Sequence, residues 1–236
     1  MQNGSNGNDM SSWLDIGTDS AANSESKGVD LLSIPTQSEK ITEPSTIPIG
    51  DALKGTYCVV VRSSTNGEVF GSGFLLKENQ IVTNYHVIEN FVDGFVRTND
   101  KGPRYKINEI LKVDRKNDLA ILRVESIQEP FVLPISNTLP AIGERIYALG
   151  CPKGLEGTIS SGIISQFRES DGRGTCNNPA DASFYQTDVQ INRGSSGGPI
   201  VNEKGQVVAI AVSGYGDGLN FLIPMKFIEV LNTSTY

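Results

Sequence analysis

His86 is the only histidine among the 236 residues, and it lies near the end of an apolar run, Ile81-Val82-Thr83-Asn84-Tyr85-His86-Val87-Ile88. Downstream, Asp118 opens a second apolar run, Asp118-Leu119-Ala120-Ile121-Leu122. Further on, two serines sit among glycines in Gly194-Ser195-Ser196-Gly197-Gly198-Pro199. An imidazole, a carboxylate and a hydroxyl in that order are the base, the orienting acid and the nucleophile of an acyl-transfer triad. Each alone has a plainer reading, as a structural histidine or a tight glycine turn. Together they outweigh it, because a turn needs one or two glycines rather than a serine framed by three.

Such groups need rigid elements to hold them. The chain carries 25 glycines and 38% hydrophobic residues, which suits a turn-rich β protein better than a helical bundle. From Thr56 onward, short β-branched runs recur at 57–62, 69–76, 80–83, 104–113, 119–124, 145–149, 158–167, 183–188, 198–201, 207–212 and 219–223. Turn signals such as Asn66-Gly67, Asp171-Gly172, Lys204-Gly205 and Asp217-Gly218 separate them. That spacing predicts an all-β barrel or sandwich. After Pro224, residues Phe227, Ile228 and Leu231 stand at helical spacing and predict a short terminal helix.

Residues 1–51 read as a disordered tail and 52–236 as the folded domain. The first fifty residues hold nine serines and three prolines with little apolar alternation. They also carry seven acids against two lysines, and so most of the net charge of −7. Islets at Trp13-Leu14-Asp15-Ile16 and Val29–Ile34 interrupt the tail and are candidate attachments for a regulatory protein partner. No basic stripe suggests nucleic acid, and no apolar run is long enough for a membrane span. Cys58, Cys151 and Cys176 form no CxxC pair, and one histidine is too few for a metal cluster, so neither metal nor cofactor is expected. Read as free thiols, the cysteines point to a reducing, cytoplasmic setting. Cys151, in Gly150-Cys151-Pro152, has no second histidine to serve it as a nucleophile and reads as a packing residue.

Four ordered segments together resemble the HtrA-like (high-temperature-requirement) type of trypsin-fold serine protease. They are Gly71-Ser72-Gly73-Phe74 with the His86 run, the Asp118 run, Thr187–Val201 around Ser196, and Gly218-Leu219-Asn220-Phe221-Leu222-Ile223-Pro224. The resemblance covers residues 52–236 and implies two perpendicular six-stranded antiparallel β-barrels with the site between them. It departs from the family at Arg193, where proline is usual, and at Ser195, where asparagine is usual. Many relatives carry a PDZ domain after the protease, and this chain ends before one fits.

The implied enzyme is a serine endopeptidase acting on polypeptides through an acyl-enzyme. His86 would be the base, Asp118 its orienter and Ser196 the nucleophile, with Ser195 a decoy. The N–H groups of Gly194 and Ser196 would form the oxyanion hole. Gln190, Ile191, Asn192, Ala211, Val212, Ser213, Leu219 and Phe221 would line the primary pocket, and none is acidic, so a preference for Arg or Lys is not indicated. With Ser195 in place of the aspartate that trypsin-like zymogens use, their N-terminal switch is not available. Ordering of the loop 170–183 is the expected control of the Arg193–Gly194 peptide. The rival readings are a latent or inactive module that holds peptides or a partner, and a hydrolase of small esters.

Overall fold

The structure, a computed structural model, describes residues 44–98, 102–169, 175–176, 178–214 and 218–233; for Ser213 and Gly214 this is the backbone alone. Among the described residues, twelve strands, one α-helix and three short 3₁₀ helices belong to the compact unit Thr42–Tyr236. The first barrel contains β1 (Thr56–Ser63), β2 (Gly67–Lys77), β3 (Gln80–Thr83), β4 (Phe91–Arg97), β5 (Tyr105–Asp114) and β6 (Leu119–Val124). It closes in the order β1-β2-β3-β6-β5-β4. The second contains β7 (Arg145–Gly150), β8 (Thr158–Arg168), β9 (Phe184–Thr187), β10 (Pro199–Asn202), β11 (Val207–Gly214) and β12 (Asn220–Pro224), in the order β10-β11-β12-β9-β8-β7. The described strand pairs are antiparallel, and α1 (Lys226–Thr233) follows the last strand.

Apolar residues on both faces of a strand need cover on both sides, and the barrels supply it. In β6, Ala120, Leu122 and Val124 fill the first barrel while Leu119 and Ile121 face a second cluster. That second cluster joins Phe74 and Val82 of the first barrel to Leu149, Val201, Ile210 and Ile223 of the second. It also takes Ile228 and Leu231 from α1, whose last carbonyls accept bonds from Lys112 Nζ on β5 at 2.9 and 2.8 Å. Each such buried side chain contributes about 1.5–3 kcal/mol, so the seam between the barrels is a true core. A separate cluster around Ile146, Ile164, Tyr185 and Leu222 fills the second barrel.

Most of the tail expected over residues 1–51, with its islets, lies outside the described residues. Its final part is built into the domain. Ile47 N–H donates to Lys204 O at 3.0 Å, and Gln206 Nε2 donates to Pro44 O at 2.9 Å. A short 3₁₀ helix, Ile49–Gly55, then buries Ala52 against the seam. The folded unit therefore begins ahead of residue 52.

Candidate active site

β3 ends on Thr83, and a one-turn 3₁₀ helix, Tyr85–Val87, lifts His86 off the barrel rim. Asp118 stands at the head of β6 with φ +54, a left-handed backbone that aspartate tolerates better than most residues. Both of its ends are occupied. Its carbonyl accepts from Tyr85 N–H at 3.1 Å and Asn84 Nδ2 at 2.8 Å. Its carboxylate accepts from His86 N–H at 2.8 Å and His86 Nδ1 at 2.6 Å. A carboxylate facing Nδ1 places the imidazole proton there, which leaves the Nε2 lone pair as the basic position.

Ser196 and Gly194 stand in the turn before β10. Gly194 has φ +97, and a Cβ there would come within 2.6 Å of Cys151 O, so the position admits only glycine. Arg193 O accepts the N–H of Lys153 at 2.7 Å. In a trans peptide the carbonyl and the following N–H point opposite ways, so Gly194 N–H faces away from that turn. Neither Gly194 N–H nor Ser196 N–H has an intramolecular acceptor among the described residues. The Ser196 hydroxyl donates to Val212 O at 3.0 Å rather than to His86. Val212 sits at a register shift between Ala211 and Ser213, a bulge that takes it out of the β11–β12 ladder.

One open cavity of about 510 Å³ is lined by His86, Asp118, Ile191, Asn192, Arg193, Ser196 and Val212. Three of the eight residues expected in the primary pocket therefore stand with His86, Asp118 and Ser196. Gln190 instead lines a neighbouring cavity of about 110 Å³ together with Ser195 and Gly150. Ala211 is buried in the second barrel's core by the alternation of β11, and only its backbone reaches the site, accepting from Gly197 N–H at 2.8 Å. Leu219 is exposed, and Phe221 packs edge-on against Phe184. The side chain of Ser213 lies outside the described residues.

The Arg193–Gly194 peptide is bonded to the turn at Lys153, and 170–174 and 177 of the loop expected to control it lie outside the described residues. One further expectation changes. Cys151 is bonded to Cys58 in a disulfide with a Cα–Cα distance of 5.5 Å, so it is neither a free thiol nor mere packing. Sequence reasoning missed this pair and Lys153. A separation of 93 residues carries no local signal.

Residues 71–210 match the family model for the trypsin-like peptidase domain. The chain belongs to the trypsin-like peptidase family. Within it the chain is HtrA-like, as the four segments implied. It is 36% identical over 178 residues to a probable periplasmic serine endoprotease DegP-like of Hahella chejuensis, covering 72% of this chain and 36% of the relative. It is 35% identical over 194 residues to serine protease HTRA4 of Homo sapiens, covering 79% of this chain and 38% of that one. The solved structure of a serine endoprotease from Yersinia pestis superposes with a TM-score of 0.63 at 28% identity, covering 78% of this chain and 65% of that one. The chain thus spans little more than a third of the length of these curated relatives. The expected cytoplasmic setting does not stand: it rested on unpaired cysteines, two of which are paired, and several of the relatives are named periplasmic.

Proposed function

We propose that this trypsin-like domain is a serine endopeptidase in which Ser196 attacks a peptide carbonyl. His86 Nε2 takes the hydroxyl proton and later gives it to the leaving amine, while Asp118 holds the imidazole and stabilises its cation. The acyl-enzyme on Ser196 is then hydrolysed by water activated the same way. The unoccupied N–H groups of Gly194 and Ser196 bind the oxyanion, each on the order of 3–4 kcal/mol of transition-state stabilisation. The observation that carries this reading is the shared cleft, which a carboxylate-oriented imidazole and Ser196 line together. The β10 register on β11 ends at Ile210, and Ala211 is bonded to Gly197 and Gly198, which leaves the backbone from Val212 to Ser213 to suit an extended substrate. The apolar Ile191 and Val212 suit a non-basic substrate side chain. The disulfide and the periplasmic relatives support work in an oxidising compartment outside the cytoplasm.

The rival reading, a latent or inactive peptide-holding module, draws on the Ser196 hydroxyl being turned to Val212 O. Intact-protein mass after fluorophosphonate treatment separates the two. The expected result is a single adduct on the wild type and none on Ser196→Ala, with casein cleaved only by the former and kcat lowered on the order of 10⁶-fold in the variant. Folded wild-type protein that takes no adduct and leaves casein intact would overturn the endopeptidase reading.

A further inference from the structure

Ser72 lies on β2, in the other barrel from the nucleophile, and is fully buried. All of its hydrogen-bonding groups are engaged, and three of its four bonds go to the second barrel's catalytic loops. Its N–H donates to Ser196 O at 2.8 Å. Its hydroxyl donates to Gly194 O at 2.7 Å and accepts from Cys151 N–H at 2.9 Å. Its own carbonyl accepts from Thr83 Oγ1 at 2.7 Å, which ties it to the strand leading to His86. The two residues whose N–H groups are free for an oxyanion are therefore the same two whose carbonyls Ser72 holds. The third bond reaches the start of the turn in which Lys153 orients the Arg193–Gly194 peptide. Cys58, the other half of the disulfide to Cys151, is the β1 residue directly opposite Ser72.

We propose that Ser72 is a positioning residue that sets the oxyanion hole of the second barrel from the first barrel. The inference rests on the endopeptidase reading of the site. Without its hydroxyl, Gly194 O and Cys151 N–H both lose a buried partner, and the peptide planes between residues 193 and 197 gain freedom where fixed donors matter most. Ser72 touches no reacting atom, so its effect passes through Gly194 and Ser196.

The decisive variants are Ser72→Ala and Gly150→Ala. The second keeps the hydroxyl but displaces it, since a Cβ at Gly150 would lie 2.5 Å from Ser72 Oγ. For both, kcat on a peptide substrate falls about 10- to 100-fold, less than loss of a whole oxyanion donor, with KM within about twofold. A peptide boronate, which mimics the tetrahedral intermediate, loses affinity in step with kcat, while the product peptide binds as before. A merely structural role would lower the melting temperature and leave those ratios alone. Unchanged kcat and boronate affinity in a folded variant overturn the proposal, and either variant suffices should the other not fold. Amide exchange in a Ser196→Ala background gives a readout that needs no catalysis. Faster exchange at Cys151 N–H on adding Ser72→Ala supports the brace even if the wild type takes no fluorophosphonate, in which case only the endopeptidase reading fails; unchanged exchange counts against the brace.

Discussion

The two barrels hold their shares of the cleft differently. In the first, the His86–Asp118 pair is tied to itself: Asp118 bonds the ring, the backbone of His86, and through its carbonyl Tyr85 and Asn84. In the second, the turn carrying Gly194 and Ser196 is bonded within its own barrel to Ala211, Val212 and Lys153. The carbonyls of Gly194 and Ser196, however, are held from across the seam by Ser72, and the Lys153 turn starts at a residue disulfide-bonded to β1. A self-contained pair survives small movements between barrels. A loop bonded across the seam registers them. The His86–Asp118 half is thus set within one barrel, and the Ser196 half depends in part on how the barrels dock.

Asp118→Asn attacks the self-contained half and, after Ser196→Ala, has the largest expected effect. The amide keeps the shape but favours the wrong imidazole tautomer, so kcat falls about 10⁴-fold with the melting temperature near that of the wild type. A loss below about tenfold would mean that the pair is not what activates Ser196. Replacing both Cys58 and Cys151 by Ser attacks the junction instead. For a separation of 93 residues the chain-entropy model gives a stability loss of about 4–5 kcal/mol, read from denaturant midpoints. A several-fold fall in kcat should accompany it as the Lys153 turn loosens. Lowered stability with unaltered kcat would assign the turn to Ser72 alone and sharpen the contrast.

The smallest effect concerns the barrel interiors, where the two halves are alike. Tyr57 in the first barrel and Tyr185 in the second each have a phenol pushed up to about 12, chiefly by burial. A folded-state value above the unfolded one gives stability that is whole below about pH 10 and is lost as pH rises toward 12. Tyr57→Phe and Tyr185→Phe should flatten the fall of melting temperature above pH 10 by similar amounts. A clear difference between them would show that the two cores are not equivalent.

Much of this was legible in the sequence because the signal was local. The runs ending at His86 and opening at Asp118 are strands β3 and β6, and the serine turn precedes β10 as its glycines required. Strand β4 was not legible. Phe91-Val92-Asp93-Gly94-Phe95-Val96-Arg97 buries only Val96 fully, so no alternation marks it, and it is a strand because β1 offers it a pairing edge. The pocket was legible only in part. Ile191, Asn192 and Val212 reach the cleft, while Ala211 turns inward, since neighbours along a strand face opposite ways. The disulfide was missed because pairing depends on two Cα atoms meeting, and an odd cysteine count gives no hint of which do.

By itself the sequence determined the chemistry on offer: one imidazole, a carboxylate ahead of a strand and a serine among glycines, in that order. It also determined that strands apolar on both faces must be covered twice. Only the tertiary structure decided what holds the turn carrying Gly194 and Ser196. The bond from Ser72 to Gly194 spans 122 residues. A buried hydroxyl has no pattern that announces its acceptor, because the partner is chosen by how two closed barrels pack and not by anything near it in the chain.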